Sequence, residues 1–282
     1  MKKSFWLLVL LLGPLPPGTA SAAKFALADD TAELLGEPVA EHNAVIWYLG
    51  HAAWAIKTST HLLIFDYYVQ SEPPAVPSLG NGFVNAEELR DLDVVVFVSH
   101  RDSDHYDPLI WQWRKSIPNI RYVLGWEPAI ANEDYVRIRP HETTTVDNIE
   151  ITAIPSTDSG SGFLIKADGL VFYHCGDNAF WKESYRPRYY REIEWLANKT
   201  DHTDFVFLNW RLDPDRETLE EGLWKTAEML GARYIIPSHM RGREDQIVEL
   251  IKDAPSEEQR EQIVDKRVPG ERILYRDGQF RP

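Results

Sequence analysis

Cysteine is almost absent: Cys175 is the only one in 282 residues, so no disulfide can form within the chain. The fold must then rest on its buried core or on a bound ion. Cys175 lies in the apolar run 170–175, where a packed small residue fits better than a thiolate nucleophile. Long hydrophobic runs are missing too. Residues 5–12 form the longest, and a membrane helix needs about 20, so no stable membrane anchor is expected. Positive charge is in deficit, with 30 Lys and Arg against 44 Asp and Glu and a formal charge of −14, which argues against nucleic acid as a partner. The chain has no Gly-x-Ser-x-Gly elbow, no Gly-x-x-x-x-Gly-Lys loop and no dinucleotide fingerprint, so the catalytic designs that need them are excluded. A glycosidase pair of carboxylates would leave the histidines without a role.

The first residues carry Lys2 and Lys3, the apolar run, Gly13-Pro14 and Pro16-Pro17, then Ala20 and Ala22 at small-x-small spacing. This is the pattern of a secretory signal over residues 1–22, so a periplasmic or secreted protein is expected, with one domain over 23–282. Loss of the leader removes two lysines and no carboxylate, taking the charge from −14 to −16.

Short runs rich in Val, Ile, Phe and Tyr, bounded by Gly, Asp or Pro, predict strands over 45–49, 54–57, 61–65, 94–99, 122–124, 149–154, 162–166, 170–174, 205–208 and 234–237. Helical spacing is clearest over 86–92, 108–116, 188–197, 217–230 and 243–251. Hairpin-like groups of strands precede strand and helix alternation in each half, which reads as an α/β sandwich of two mixed sheets with helices outside. Residues 70–85, rich in Pro and Gly, read as a long loop, and the charged stretch 252–269 as a solvated surface excursion.

Chemistry concentrates in residues 99–108. The apolar strand over 94–98 ends and releases His100, Asp102, Asp104 and His105 within six positions. Four such side chains on one loop at a strand's carboxyl end can hold a divalent ion. Asp107, just before Pro108, reads instead as a helix cap.

This loop resembles the His-x-His-x-Asp-His signature of metallo-β-lactamase-fold hydrolases, with Asp102 where the second histidine normally stands. Further segments follow in the family's order. Residues 62–66 resemble the strand whose closing aspartate, here Asp66, supports the metal loop by hydrogen bonds. Gly50-His51 is similar to the Gly-His turn of the branch that includes sugar-lactone hydrolases; His51 then faces substrate, or else closes a hairpin turn. The segment 155–163 stands where the family has its third histidine; Asp158 is the candidate ligand there, or a turn former. Gly176-Asp177 matches the family's metal-bridging aspartate, preceded by a glycine that permits close approach, and His239 ends a strand as the last ligand does.

The resemblance implies a four-layer αββα sandwich holding one or two divalent ions. The first would lie on His100, Asp102, Asp158 and Asp177, and the second on Asp104, His105, His239 and Asp177. Oxygen-rich ligands make Mn or Fe as suitable as Zn. A water acidified between such ions attacks a carbonyl or phosphoryl centre, with Asp104 steering its proton and Tyr106 a weaker candidate for substrate contact. The expected partner is a small molecule carrying an ester, lactone, amide or small phosphodiester. A non-catalytic binding or sensing protein with an impaired metal site is the alternative. His174 reads as a packed strand residue, and His42, His61, His141 and His202 as surface or structural.

Overall fold

The strand runs pair into two mixed sheets in the computed structural model, which describes residues 30–128, 134–211 and 216–281. The expected leader, residues 1–22, lies outside the described residues. After a short helix α1 (Thr31–Gly36) come β1 (Ala44–Gly50), β2 (Ala53–Lys57), β3 (Leu62–Phe65), β4 (Val94–Val98), β5 (Ile120–Leu124) and β6 (Val136–Arg137). Then follow β7 (Thr143–Val146), β8 (Ile149–Pro155), β9 (Ser161–Ala167), β10 (Leu170–His174), α2 (Arg186–Ala197), β11 (Thr203–Asn209), α3 (Arg216–Met229) and β12 (Ala232–Ser238). The chain closes with α4 (Ile247–Lys252), α5 (Glu257–Gln262), β13 (Arg272–Arg276) and β14 (Gln279–Arg281).

One sheet runs β14-β13-β1-β2-β3-β4-β5-β6 and the other β12-β11-β10-β9-β8-β7. Each changes from antiparallel to parallel pairing part-way across: β3, β4, β5 and β6 are mutually parallel, as are β10, β11 and β12. Parallel neighbours end at the same rim, which gathers the loops after β3, β4, β10 and β12 at one edge of the molecule.

Period-two alternation explains how continuous apolar runs serve two layers at once. Along β1, Ile46 and Tyr48 enter the core between the sheets, while Val45, Trp47 and Leu49 enter the outer one. Phe65 meets Phe172 at 6.1 Å and Phe97 meets Phe163 at 5.9 Å, contacts that join the sheets face to face. Burial of such a side chain stabilises by roughly 1.5–3 kcal/mol. Outside the six-stranded sheet, α2, α3 and α4 contribute Ile193, Leu196, Leu223, Ile247 and Leu250. Outside the eight-stranded sheet, Leu35, Leu79, Leu89, Ile110 and Trp113 close the fourth layer.

Four expectations change. Residues 86–92 form successive turns: Asn85 Oδ1 accepts from the Glu87 amide at 3.1 Å, a local bond that competes with helix extension. Pro108–Lys115 is a 3-10 helix, capped by Asp107 Oδ1 accepting from Leu109 N at 2.8 Å, and the helix over 243–251 begins as a 3-10 turn before α4. The stretch 252–269 is only partly a surface excursion. Its α5 buries nothing, yet Val264 is buried and its amide donates to Ile235 O at 2.9 Å, extending the sheet beyond β12.

Candidate metal centre

The rim is built around Asp66, which follows β3 and is fully buried. Its Oδ1 accepts from the Ser99 amide at 2.7 Å, and its Oδ2 from the Ser99 hydroxyl at 2.7 Å and His105 Nδ1 at 2.8 Å. Ser99 Oγ has given its single proton to Asp66, so it accepts from His100 Nδ1 at 2.9 Å. One carboxylate therefore fixes two imidazoles with Nδ1 protonated, so that Nε2 faces the cavity and offers a lone pair whenever the ring is neutral, as a metal would require.

Opposite stands Asp177. Its Oδ2 is 3.2 Å from His100 Nε2, and its Oδ1 is 3.0 Å from both His105 Nε2 and His239 Nε2. His51, buried in the β1–β2 turn, places Nε2 3.3 Å from Asp104 Oδ2 and its ring 4.1 Å from that of His239. Among the described residues, two groups have ligand atoms within 4.8 Å of one another: His100, His105 and Asp177, and His51, Asp104, His105 and His239. His51 thus stands inside a potential ligand group, a place that its sequence context as a substrate contact or turn cap did not foretell.

Asp102 and Asp158 belong to neither group. Asp102 is 55% exposed with Oδ2 3.7 Å from His100 Nε2, and Asp158 is exposed in the turn after β8. Both line a cavity of about 340 Å³ that also meets Asp104, Asp177, His239 and Trp181. Tyr106 is turned away, accepting a hydrogen bond from Trp111 Nε1 at 2.8 Å. His174 is packed as expected, stacked on Phe65, and it also braces the site: Nε2 donates to Ala52 O at 3.0 Å and Nδ1 accepts from Gly176 N at 3.3 Å. His42 and His141 contact Gly169 O and Glu192 away from this rim.

The local backbone is strained to make these approaches. His51, Asp66, His239 and Arg241 have φ of 53°, 45°, 63° and 37°, left-handed values uncommon for residues with a Cβ. His239 N donates to His51 O at 3.0 Å, tying the two turns together. Gly176, at φ 53°, lies where a Cβ would come 2.6 Å from Ser99 Cβ, so only glycine lets Asp177 approach the loop after β4.

Electrostatics follow from this packing. Burial alone would lower His105, but Asp66 and Asp177 outweigh it and push its pKa up to about 10. Burial resists ionisation of Asp177, and the imidazoles of His100, His105 and His239 facing it hold it well below the carboxylate range. Burial pushes His51 down to about 4. The His51 imidazole beside it holds Asp104 low against its partial burial, helped by His105 and Arg241. Arg241 was not legible as a site residue, yet its Nη2 is 2.6 Å from Asp104 Oδ2. Trp181 Nε1 donates to Asp177 O at 2.9 Å.

The residues present fit a metal. His100 Nε2, His105 Nε2, Asp177 Oδ1, His239 Nδ1 and both nitrogens of His51 are buried without a hydrogen-bond partner. Each such atom costs about 1–3 kcal/mol unless something satisfies it. Imidazole nitrogens and carboxylate oxygens suit a divalent ion such as zinc or iron.

Residues 45–185, half of the chain, match the family model described as the beta-lactamase superfamily domain. This chain belongs to the metallo-β-lactamase superfamily. Among its relatives, a protein named UPF0173 metal-dependent hydrolase from Pyrococcus abyssi is 29% identical over 153 residues, 48% of this chain and 62% of that protein. One of the same description from Pyrococcus furiosus is 25% identical over 211 residues, 69% of this chain and 83% of its own length. The chain thus spans less than two thirds of the first relative and most of the second. Among solved structures, Igni18, a metallo hydrolase from Ignicoccus hospitalis, has a TM-score of 0.58 at 13% identity, covering 83% of this chain and 99% of its own. CmlA, a diiron β-hydroxylase from Streptomyces venezuelae, has a TM-score of 0.59 at 15% identity, covering 85% and 55%. The fold is shared, and one superfamily fold carries different reactions in different members.

Proposed function

We propose that this protein is a metal-dependent hydrolase acting on an ester, lactone, amide or small phosphodiester, exported to the periplasm or beyond by the leader at residues 1–22. The observation that carries the hydrolase reading is the cluster of partnerless buried ligand atoms on His51, His100, His105, Asp177 and His239 beside a substrate-sized cavity. His105, shared by both ligand groups, and Asp177, within reach of three imidazoles, would hold the ion, with His100 on one side and Asp104, His239 and His51 on the other. A divalent ion bound there lowers the pKa of water from 15.7 toward about 7 and polarises the scissile group, so no serine or cysteine nucleophile is needed.

The chain's own groups do the rest. Asp66 orients His100 and His105 through Nδ1, and His174 holds the Gly176 amide so that Asp177 is presented from a fixed turn. Asp104, already held ionised, is a weak proton acceptor; its contribution is to accept hydrogen bonds and orient the attacking water. Trp181 and Leu219 give the cavity an apolar wall for the uncharged part of a substrate.

A one-ion site is the second reading. The exposure of Asp102 and Asp158, which replace family histidines, favours it. Elemental analysis of protein purified without chelator, followed by ester and phosphodiester assays before and after chelation, tests both. Bound ion with chelator-sensitive turnover supports the hydrolase, and the stoichiometry separates one ion from two. No bound ion, with folding and ligand binding indifferent to chelation, transfers the case to a binding or sensing protein on this fold.

A further inference from the structure

Beside the main cavity lies a smaller recess of about 140 Å³, and the two share Asp104, Arg211 and His239 as walls. Among the described residues, the recess is lined by three arginines, Arg211, Arg241 and Arg243, and one carboxylate, Asp104. In a chain of formal charge −14, this concentration of positive charge is opposite in sign to the molecule as a whole.

The recess already binds one oxyanion. Arg241 Nη2 lies 2.6 Å from Asp104 Oδ2, a short charge-assisted contact, while its guanidinium stands 6.0 Å from the Tyr68 ring. The backbone is bent to aim it there: His239, Arg241 and Gly242 have φ of 63°, 37° and 72°, three left-handed residues in the four after β12. Such strain persists only where the surroundings enforce it, and here it turns an arginine back toward the ligand groups. Asp104 is claimed by His51, by Arg241 and, on the hydrolase reading, by an ion. An ion that draws on this carboxylate competes with Arg241 for it.

We propose that this recess is an oxyanion subsite: Arg241, flanked by Arg211 and Arg243, holds a carboxylate or phosphate group of the substrate while the scissile bond lies in the larger cavity beside His105 and Asp177. The proposal rests on the hydrolase reading for the scissile bond, but the subsite itself rests on the arginines. It narrows the substrates to small anionic molecules with the charged group a few bonds from the bond that breaks. An arginine fork pairs with a carboxylate or phosphate through two parallel hydrogen bonds, and a neutral isostere leaves it unpaired.

The experiment is calorimetric titration of metal-loaded protein with succinate, with inorganic phosphate and with neutral succinamide, on wild type, Arg241→Ala and Arg241→Lys. Metal content and thermal unfolding are recorded for each. At least one anion is expected to bind wild type, succinamide is not, and Arg241→Ala should lose about tenfold or more in affinity with its metal content and melting unchanged. Arg241→Lys, which keeps the charge without the fork, should fall between them and shows that a loss in the alanine variant is not a folding defect. Succinate binding alone marks a carboxylate-bearing substrate, and phosphate binding alone a phosphorylated one. Anion binding as tight in Arg241→Ala as in wild type places the anion on the ion and overturns the subsite, as does failure of both anions to bind loaded wild type. Protein that carries no ion but binds an anion through Arg241 sinks the hydrolase reading and leaves the subsite standing.

Discussion

Asp66 Oδ2 lies 2.8 Å from His105 Nδ1, with the carboxylate wholly buried at the end of β3 and the imidazole delivered by the loop after β4. Parallel pairing of these strands, with Phe65 opposite Phe97, makes that contact possible. Asp66→Asn keeps the shape but removes the charge and turns one acceptor into a donor. We expect metal affinity to fall by roughly 10–100-fold, the usual cost of losing such an outer partner. Competition with a chromophoric chelator measures it, and unchanged affinity would show that the imidazoles are held by packing alone.

Membership of the ligand groups makes a graded forecast. His105 belongs to both groups and His100 to one. His105→Ala should therefore lose all bound ion and His100→Ala only part, while Asp102→Ala and Asp158→Ala, at exposed positions, should retain the wild-type content. Elemental analysis of the four variants decides; loss of ion in Asp158→Ala would restore it to the ligand set.

In ion-free protein, stability should peak near pH 6.5. His105 keeps its proton up to about 10 in the folded state because Asp66 and Asp177 overcome the effect of burial, whereas the unfolded chain releases it near 6.5. That contribution is complete below 6.5 and is lost as pH rises toward 10. His51 is depressed to about 4 by burial, so between 6.5 and 4 the unfolded chain takes up a proton that the folded one refuses, and stability falls as pH drops. Excess divalent ion should move the maximum upward, because binding displaces the His105 proton. Calorimetric melting of chelated protein from pH 5 to 9 checks this; a melting temperature that climbs steadily across the range contradicts it.

Gly160, at φ 68°, stands where a Cβ would strike the Ser99 carbonyl and the His100 side chain. Gly160→Ala is expected to destabilise the protein by about 1–3 kcal/mol through strain. It should also lower bound ion, because the displaced strand end carries His100. Urea unfolding with and without metal separates the two effects, and a variant as stable as wild type would show that the turn after β8 yields freely.

Much of this was legible in the sequence because the information was local. Apolar runs between turn residues mark the strands whether a layer covers one face or both, and the four polar side chains after the apolar strand 94–98 mark the site. What escaped was not local. β13 and β14 are charged strands, Arg272–Arg276 alternating buried and more exposed side chains, and only the pairing of β13 with β1 and of β14 with β13 defines them. His51 enters the ligand group through a left-handed turn that hydrogen-bonds to His239, and Arg241 through a similar turn after β12; no periodicity reports either. Asp102 and Asp158 align with ligand positions in the sequence and line the cavity, but neither joins a ligand group, and the distance of a turn from the other ligands is set by packing rather than by local sequence.

The ligand residues come from opposite leaves of the sandwich: His51, His100 and His105 from turns of the eight-stranded sheet, Asp177 and His239 from ends of strands in the six-stranded one. An ion seated among them is a clasp across the seam. In a chain whose single cysteine rules out a covalent bridge, the clasp fastens the two leaves only where the Phe65–Phe172 and Phe97–Phe163 contacts hold them in register. A core substitution at that seam, far from any substrate, would change the bite of the site as surely as one in its wall.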